Sequence, residues 1–171
     1  GSYGNAGILG GAPGMAGAAL LAARAALRLG SGRVYVGLLE EHAPTCDPLQ
    51  PELMLRPPEK LLGTDLTALA CGPGLGTSSA AKRLLEAACR LTLPLVLDAD
   101  ALNLIAAEID LHGTLTARQT ETLLTPHPAE AARLLNTDVA TIQANRLGAA
   151  QELTKRFKAY VALKGSGTVI A

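Results

Sequence analysis

Apolar positions along the chain keep two rhythms. Short runs of strand length alternate with longer stretches in which apolar residues return at helical spacing. Residues 5–10 (NAGILG) read as a strand that opens a Gly-rich turn. An Ala-rich helix is predicted from about residue 14 to 29, with Gly30 ending it. Residues 33–37 (RVYVG) form the next strand. Residues 41–58 hold five of the ten prolines and predict an irregular surface excursion. A strand at 66–71 runs into Gly72-Pro-Gly-Leu-Gly76, followed by a helix over about 78–91, a strand at 95–98 and a short helix at 101–107. A strand at 122–125, helices at 128–135 and 139–157, and a final strand pair flanking Lys164–Gly167 complete the pattern.

This alternation predicts right-handed crossovers and a mostly parallel sheet with helices on both faces, an α/β fold. Ligands of such sheets bind beyond the carboxyl ends of the strands. The chain stops inside the last hairpin, with Lys164 and Gly165 at its turn, and leaves an apolar strand at a sheet edge. The 171 residues are therefore expected to be the first part of a catalytic domain.

Composition narrows the function classes. The chain is 49% hydrophobic, but its most apolar stretch is interrupted by Arg24 and Arg28, so no membrane span is expected. Fifteen basic residues balance fifteen acidic ones, and with one Phe and no Trp the chain lacks the field and the stacking platforms of a nucleic-acid binder. Cys46, Cys71 and Cys89 show no metal-ligand spacing and read as buried thiols of a reducing, cytoplasmic compartment. No metal site is expected in the protein itself.

The candidate chemistry gathers at predicted strand ends. Gly10-Gly-Ala-Pro-Gly-Met-Ala-Gly17 follows a strand and opens a helix, where backbone N–H groups can meet an anion. Its spacing is not the dinucleotide fingerprint, and close helix packing explains the glycines equally well. Gly72, Gly74 and Gly76 repeat the arrangement one crossover later. Asp98 and Asp100, with Asn103, suit hydroxyl or Mg²⁺ binding, or Asp100 is simply the cap of the next helix. His127 is held between Pro126 and Pro128, and Glu130 and Arg133 are spaced to pair. Lys164 among glycines can follow a phosphate charge, or mark only a polar turn.

Taken as a set, GGAPGMAGAALLAARAALRLGSGRVYV, ACGPGLG, PLVLDADALNLIA, LLTPHPAEAARLL and VALKGSGTVIA resemble the ADP/ATP-dependent NAD(P)H-hydrate dehydratases. The resemblance covers nearly the whole chain. It implies a ribokinase-like three-layer α/β/α domain, here incomplete at its C-terminus. The implied activity is repair of NADH or NADPH hydrated at C6, by phosphorylation of the C6 hydroxyl from ADP or ATP with Mg²⁺ and loss of phosphate.

By the same resemblance Ala18, a glycine among Gly72, Gly74 and Gly76, and His127 line the hydrated-cofactor pocket. Asp98, Asp100 and Asn103 shape the floor between the ligands. Lys164, Gly165, Ser166, Gly167 and Thr168 hold the nucleotide phosphates. Two positions depart from the family. Ala129 stands where members commonly have Gly, and the downstream Gly-Ser-Gly-Asp segment with the catalytic Asp has no counterpart up to Ala171, so these residues alone are expected to be inactive. Two rival readings remain: a kinase of the same fold acting on a vitamin precursor, and a non-catalytic nucleotide-binding or assembly subunit. Exposed edges and the Ala-rich first helix predict self-association.

Overall fold

The first strand of the protein, β1 (Asn5–Gly10), is apolar because it becomes the middle of a sheet. The structure, a computed structural model, describes residues 2–171. After β1 come α1 (Ala16–Arg28), β2 (Arg33–Leu38), β3 (Met54–Arg56), α2 (Pro58–Leu62), β4 (Ala68–Cys71) and α3 (Ser79–Cys89). Then follow β5 (Leu95–Leu97), α4 (Asp100–Ala107), α5 (Ile109–Thr116), β6 (Thr122–Leu124), α6 (Pro128–Leu135), α7 (Val139–Ala144), α8 (Arg146–Phe157), β7 (Tyr160–Leu163) and β8 (Val169–Ile170). The strands lie in the order β3-β2-β1-β4-β5-β6-β7-β8. All neighbours are parallel except β7 and β8. Strand order reverses between β1 and β4, so the two Gly-rich turns flank the switch point, where open α/β sheets bind ligands.

Strand alternation divides the core between the two faces. Ala6, Ile8, Val34, Val36 and Leu38 turn toward α1, whose Ala19 and Ala23 are buried against them. Leu9, Leu69, Cys71, Leu95, Leu97, Leu124, Val161 and Leu163 turn the other way, into a larger cluster with residues from α2 to α8. The expected helical layers on both faces are thus present but unequal. Among the described residues α1 is the one helix that packs in the smaller cluster, and beyond it Val96 and Leu123 are half-buried.

Several elements differ from the sequence reading. The excursion at 41–58 contains edge strand β3 and leads directly into α2, with Pro58 at its first turn. An edge strand has one unpaired side, so the flanking prolines read as breakers do not forbid it. The excursion is anchored by Asp47, buried and held by Arg24 through two bonds of 2.7 and 2.8 Å. Helix α5 fills a stretch for which no element was predicted. The single helix expected over 139–157 is broken at Asn145 (φ −145°, ψ 71°), whose Oδ1 accepts the Gly148 N–H and caps α8. At the amino ends of β5 and β6, far from the Gly-rich turns, Arg118 donates to the carbonyls of Cys89, Leu91 and Leu93 and to two threonine hydroxyls.

Candidate functional site

The two Gly-rich turns interlock across the switch point. Gly11 donates to the Pro73 carbonyl (3.1 Å) and Ala12 to that of Gly74 (2.6 Å). Gly72 has φ +131°, and a Cβ there would lie 1.8 Å from the Asp98 carbonyl oxygen. Gly74 has φ +60°, and its Cβ would lie 2.7 Å from the Met15 carbonyl and 3.2 Å from the Ala18 Cβ. These glycines let three loops approach one another through their backbones. Close packing therefore accounts for Gly72 and Gly74, while Ala18 stands exposed beside them on the first turns of α1.

The Asp-Ala-Asp segment is aimed by its middle residue. Ala99 sits at φ 51°, ψ −118°, a conformation that costs an L-residue on the order of 1–3 kcal/mol. It sends its neighbours to different loops. Asp98 Oδ1 accepts from Lys164 Nζ at 2.6 Å, joining the ends of β5 and β7. Asp100 Oδ2 accepts from Gly76 N at 2.9 Å, and its Oδ1 takes a longer bond from Asn103 Nδ2 at 3.4 Å. Asp100 is thus the first residue of α4 with no side-chain cap bond to that helix, which corrects the capping alternative. Asn103 Oδ1 in turn accepts from Arg133 at 2.9 Å. The expected Glu130–Arg133 pair is not made, because Glu130 is buried and turned back to His127.

His127 is the N-cap of α6. Its Nδ1 accepts the N–H groups of Ala129 (3.1 Å) and Glu130 (3.3 Å), and Glu130 Oε2 accepts the His127 N–H (2.8 Å), a reciprocal capping box. With Nδ1 accepting, the neutral ring carries its proton on Nε2, 3.3 Å from Glu130 Oε1. The ring has no hydrogen bond to Asp98, Asp100, Asn103 or Lys164 among the described residues; it shares their sheet edge only.

The loop from Lys164 to Thr168 is less free than its glycines imply. Lys164 donates its N–H to the Pro126 carbonyl (2.8 Å) and its ammonium to Asp98. Arg146 at the start of α8 donates to the carbonyls of Leu163, Lys164 and Ser166. No backbone N–H from Gly165 to Thr168 donates to a protein group among the described residues. Arg146 escaped the sequence reading because a continuous helix over 139–157 gives no reason to aim it at this loop. Arg133 was visible, but its partner is on another helix.

Beyond Ala12 and Pro13 lies a cavity of about 550 Å³, bordered also by Leu38, Glu40, Arg56 and Leu84. Among the described residues no three His, Cys, Asp or Glu side chains converge to hold a metal. Asp98 and Asp100 are engaged by Lys164, Gly76 and Asn103, so these carboxylates are poorly disposed to hold a Mg²⁺ ion by themselves.

Residues 6–171 match the family model described as NAD(P)H-hydrate dehydratase. The chain belongs to that family. It is 42% identical to the ADP-dependent (S)-NAD(P)H-hydrate dehydratase of Neisseria meningitidis, over 100% of this chain and 59% of that protein. It is 41% identical to the bifunctional NAD(P)H-hydrate repair enzyme of Coxiella burnetii, over 99% of this chain and 34% of the relative. Among solved structures, the ADP/ATP-dependent NAD(P)H-hydrate dehydratase of Bacillus subtilis, co-crystallized with ATP/Mg²⁺, superposes with TM-score 0.81 at 28% identity, over 99% of this chain and 61% of that one. A ribokinase-like superfamily protein of Enterococcus faecalis shares the fold alone (TM-score 0.77, 21% identity, 98% of this chain and 60% of that one). The chain thus spans from about a third to three-fifths of the length of these dehydratases and repair enzymes. No helix among the described residues is long and apolar enough to cross a membrane.

Proposed function

We propose that this dehydratase-family chain binds C6-hydrated NADH or NADPH and the phosphates of ADP or ATP, and serves their nucleotide-dependent dehydration. The observation that carries the reading is the Lys164–Asp98 bond. It joins the Lys164–Thr168 loop to the Asp98–Asn103 segment, so the two groups of residues expected to serve two ligands lie side by side at one sheet edge.

In the proposed reaction the C6 hydroxyl oxygen attacks the terminal phosphorus of the nucleotide. A P–O bond to the nucleotide breaks, and the hydroxyl proton is lost. Phosphate then leaves C6 with its electron pair, the ring nitrogen supplies the electrons, and loss of a proton from C5 restores the double bond. Hydroxide is a poor leaving group at neutral pH and phosphate a good one, which is what the nucleotide contributes. The protein's share is to place two anionic ligands and neutralise charge.

Lys164 and the unbonded N–H groups of residues 165–168 face the phosphates. Ala18, Gly72, Gly74, Gly76 and His127 line the nicotinamide side, with His127 Nε2–H as a donor. Asp98, Asp100 and Asn103 form the polar floor. The 550 Å³ cavity leaves room for the part of the dinucleotide away from the ring. We assign the general base to none of residues 1–171. Three free cysteines fit a reducing, cytoplasmic setting. Exposed Leu21 on α1 and Leu29 at its C-cap, together with half-buried Val96 and Leu123, support self-association.

The test is return of the near-ultraviolet absorbance of reduced nicotinamide when hydrated NADH meets the protein with ADP or ATP and Mg²⁺. Nucleotide-dependent recovery with release of inorganic phosphate is expected. A stable phosphate ester as product would sink the dehydratase reading in favour of a kinase. Titration calorimetry of residues 1–171 with NADH and with ADP checks the two binding assignments separately.

A further inference from the structure

Arg146 lies outside every motif that pointed to function, yet it holds the Lys164–Thr168 loop at two points and the end of β7 at a third. Its Nη1 donates to the Ser166 carbonyl (2.8 Å), and its Nη2 donates to those of Leu163 (3.1 Å) and Lys164 (3.3 Å). Its Nε is buried with no hydrogen-bond partner among the described residues, so these three carbonyls orient the guanidinium. The fit is close: a Cβ on Gly165 would lie 2.7 Å from Nη2.

The carbonyls on Arg146 decide where the loop's N–H groups point. In a planar trans peptide the C=O and the following N–H face opposite ways. With the Lys164 carbonyl drawn onto Arg146, the Gly165 N–H points away from it. With the Ser166 carbonyl drawn in, the Gly167 N–H does the same. The same rule turns the Lys164 N–H away, and it is met by the Pro126 carbonyl (2.8 Å). Neither the Gly165 nor the Gly167 N–H has a protein acceptor among the described residues. Two outward N–H groups above a guanidinium are donors that an anion can meet.

We infer that Arg146 is a positioning residue for nucleotide binding: it takes up the loop's carbonyls, presents the Gly165 and Gly167 N–H groups to the phosphates, and touches no ligand itself. This rests on the proposed assignment of residues 164–168 to the nucleotide. The break at Asn145 is part of the device, since it starts α8 at Arg146 and caps it there. Lysine cannot replace the planar fork, because one ammonium has to stand in for two nitrogens fixed in one plane.

The experiment compares wild type, Arg146→Met and Arg146→Lys. Calorimetry measures Kd for ADP and ATP with Mg²⁺ and for NADH, and backbone amide exchange is followed over residues 164–168. Arg146→Met is expected to weaken both nucleotides at least about tenfold, the cost of ordering a loop of a few residues on binding. It should speed exchange in the loop and leave the NADH Kd within about twofold, since RT ln 2 is well under one tenfold step. Arg146→Lys should fall between, and it decides the matter if Arg146→Met does not fold. A folded Met or Lys variant with wild-type nucleotide affinity and unchanged loop exchange overturns the inference. So does equal weakening of nucleotide and NADH, which marks a general structural role. If the wild type binds no nucleotide, the phosphate assignment fails, and loop exchange alone still decides whether Arg146 orders the loop.

Discussion

Replacing Gly72 by alanine tests the interlocked loops most directly. The new Cβ would lie 1.8 Å from the Asp98 carbonyl oxygen, 2.8 Å from its carbon and 3.0 Å from the Ala101 Cβ. An ordinary contact with that oxygen is well over 3 Å, and both partners of the worst clash are backbone, so no side chain can rotate aside. Backbone strain at φ +131° adds on the order of 1–3 kcal/mol, and overpacking typically another 1–3 kcal/mol. The expected loss is about 2–6 kcal/mol, a large part of the 5–15 kcal/mol typical of a domain. Moving the Asp98 carbonyl also loosens its bond from Ala101 N (3.1 Å) and displaces the carboxylate from Lys164, so NADH and nucleotide binding should weaken together. The assay is urea unfolding followed by circular dichroism, with stability read from the midpoint at unchanged slope. Gly17→Ala is the internal control: Gly17 lies in α1 with open space around its Cβ position, so it should be neutral or gain up to about 1 kcal/mol from helix propensity. A Gly72→Ala protein within about 0.5 kcal/mol of wild type, the scatter of ordinary surface substitutions, would falsify the interlocking account. So would a Gly17→Ala protein as damaged as Gly72→Ala.

Two further predictions follow from the titratable groups. The hydrogen bonds from Arg24, with help from the Leu49 N–H, hold the Asp47 carboxyl below its ordinary value of 3.8. A carboxylate depressed in the folded state stabilises above its unfolded pKa and loses that contribution as pH falls through the folded value. The urea midpoint should therefore drop below about pH 4, and drop less in Asp47→Asn; equal acid sensitivity in both proteins refutes the assignment. Burial pushes the Cys89 thiol up to about 11 and Cys71 well above its ordinary value, whereas Cys46, expected to be buried like them, is exposed in the 41–58 excursion. An aromatic disulfide reagent at neutral pH should titrate Cys46 quickly in the native protein and all three thiols in denaturant; fast reaction of Cys71 or Cys89 without unfolding contradicts the buried core.

Strand and helix periodicity, with glycines and prolines at their boundaries, was enough to read the α/β alternation and the edge on which Asp98, His127 and Lys164 lie; the family came from the resemblance of the motif set. These features are local: a parallel strand buried on both faces must be apolar throughout, and a strand-to-helix turn must bend within a few residues. What stayed hidden depends on partners distant in sequence. The sequence left open why Gly72 and Gly74 are glycines, and the Asp98 and Met15 carbonyls nearest them account for their small size by packing, whichever ligand they also line. For Asp100 the sequence left ligand binding and helix capping open, and only tertiary packing brings Gly76 N within its reach. Arg133 was matched with its neighbour in sequence, but burial of Glu130 under His127 freed it for Asn103 on α4. Arg146 seemed one more polar position on a long helix until the break at Asn145 set it beneath the Lys164–Thr168 loop. Sequence alone determined the α/β alternation and most of its strands, helices and turns, because that choice rests on spacing and backbone freedom; β3, α2, α5 and the break at Asn145 came only with the structure. Which donor meets which acceptor was decided only when the sheet brought β4, β5, β6 and β7 side by side, because a hydrogen bond depends on distances of a few ångströms that no spacing along the chain encodes.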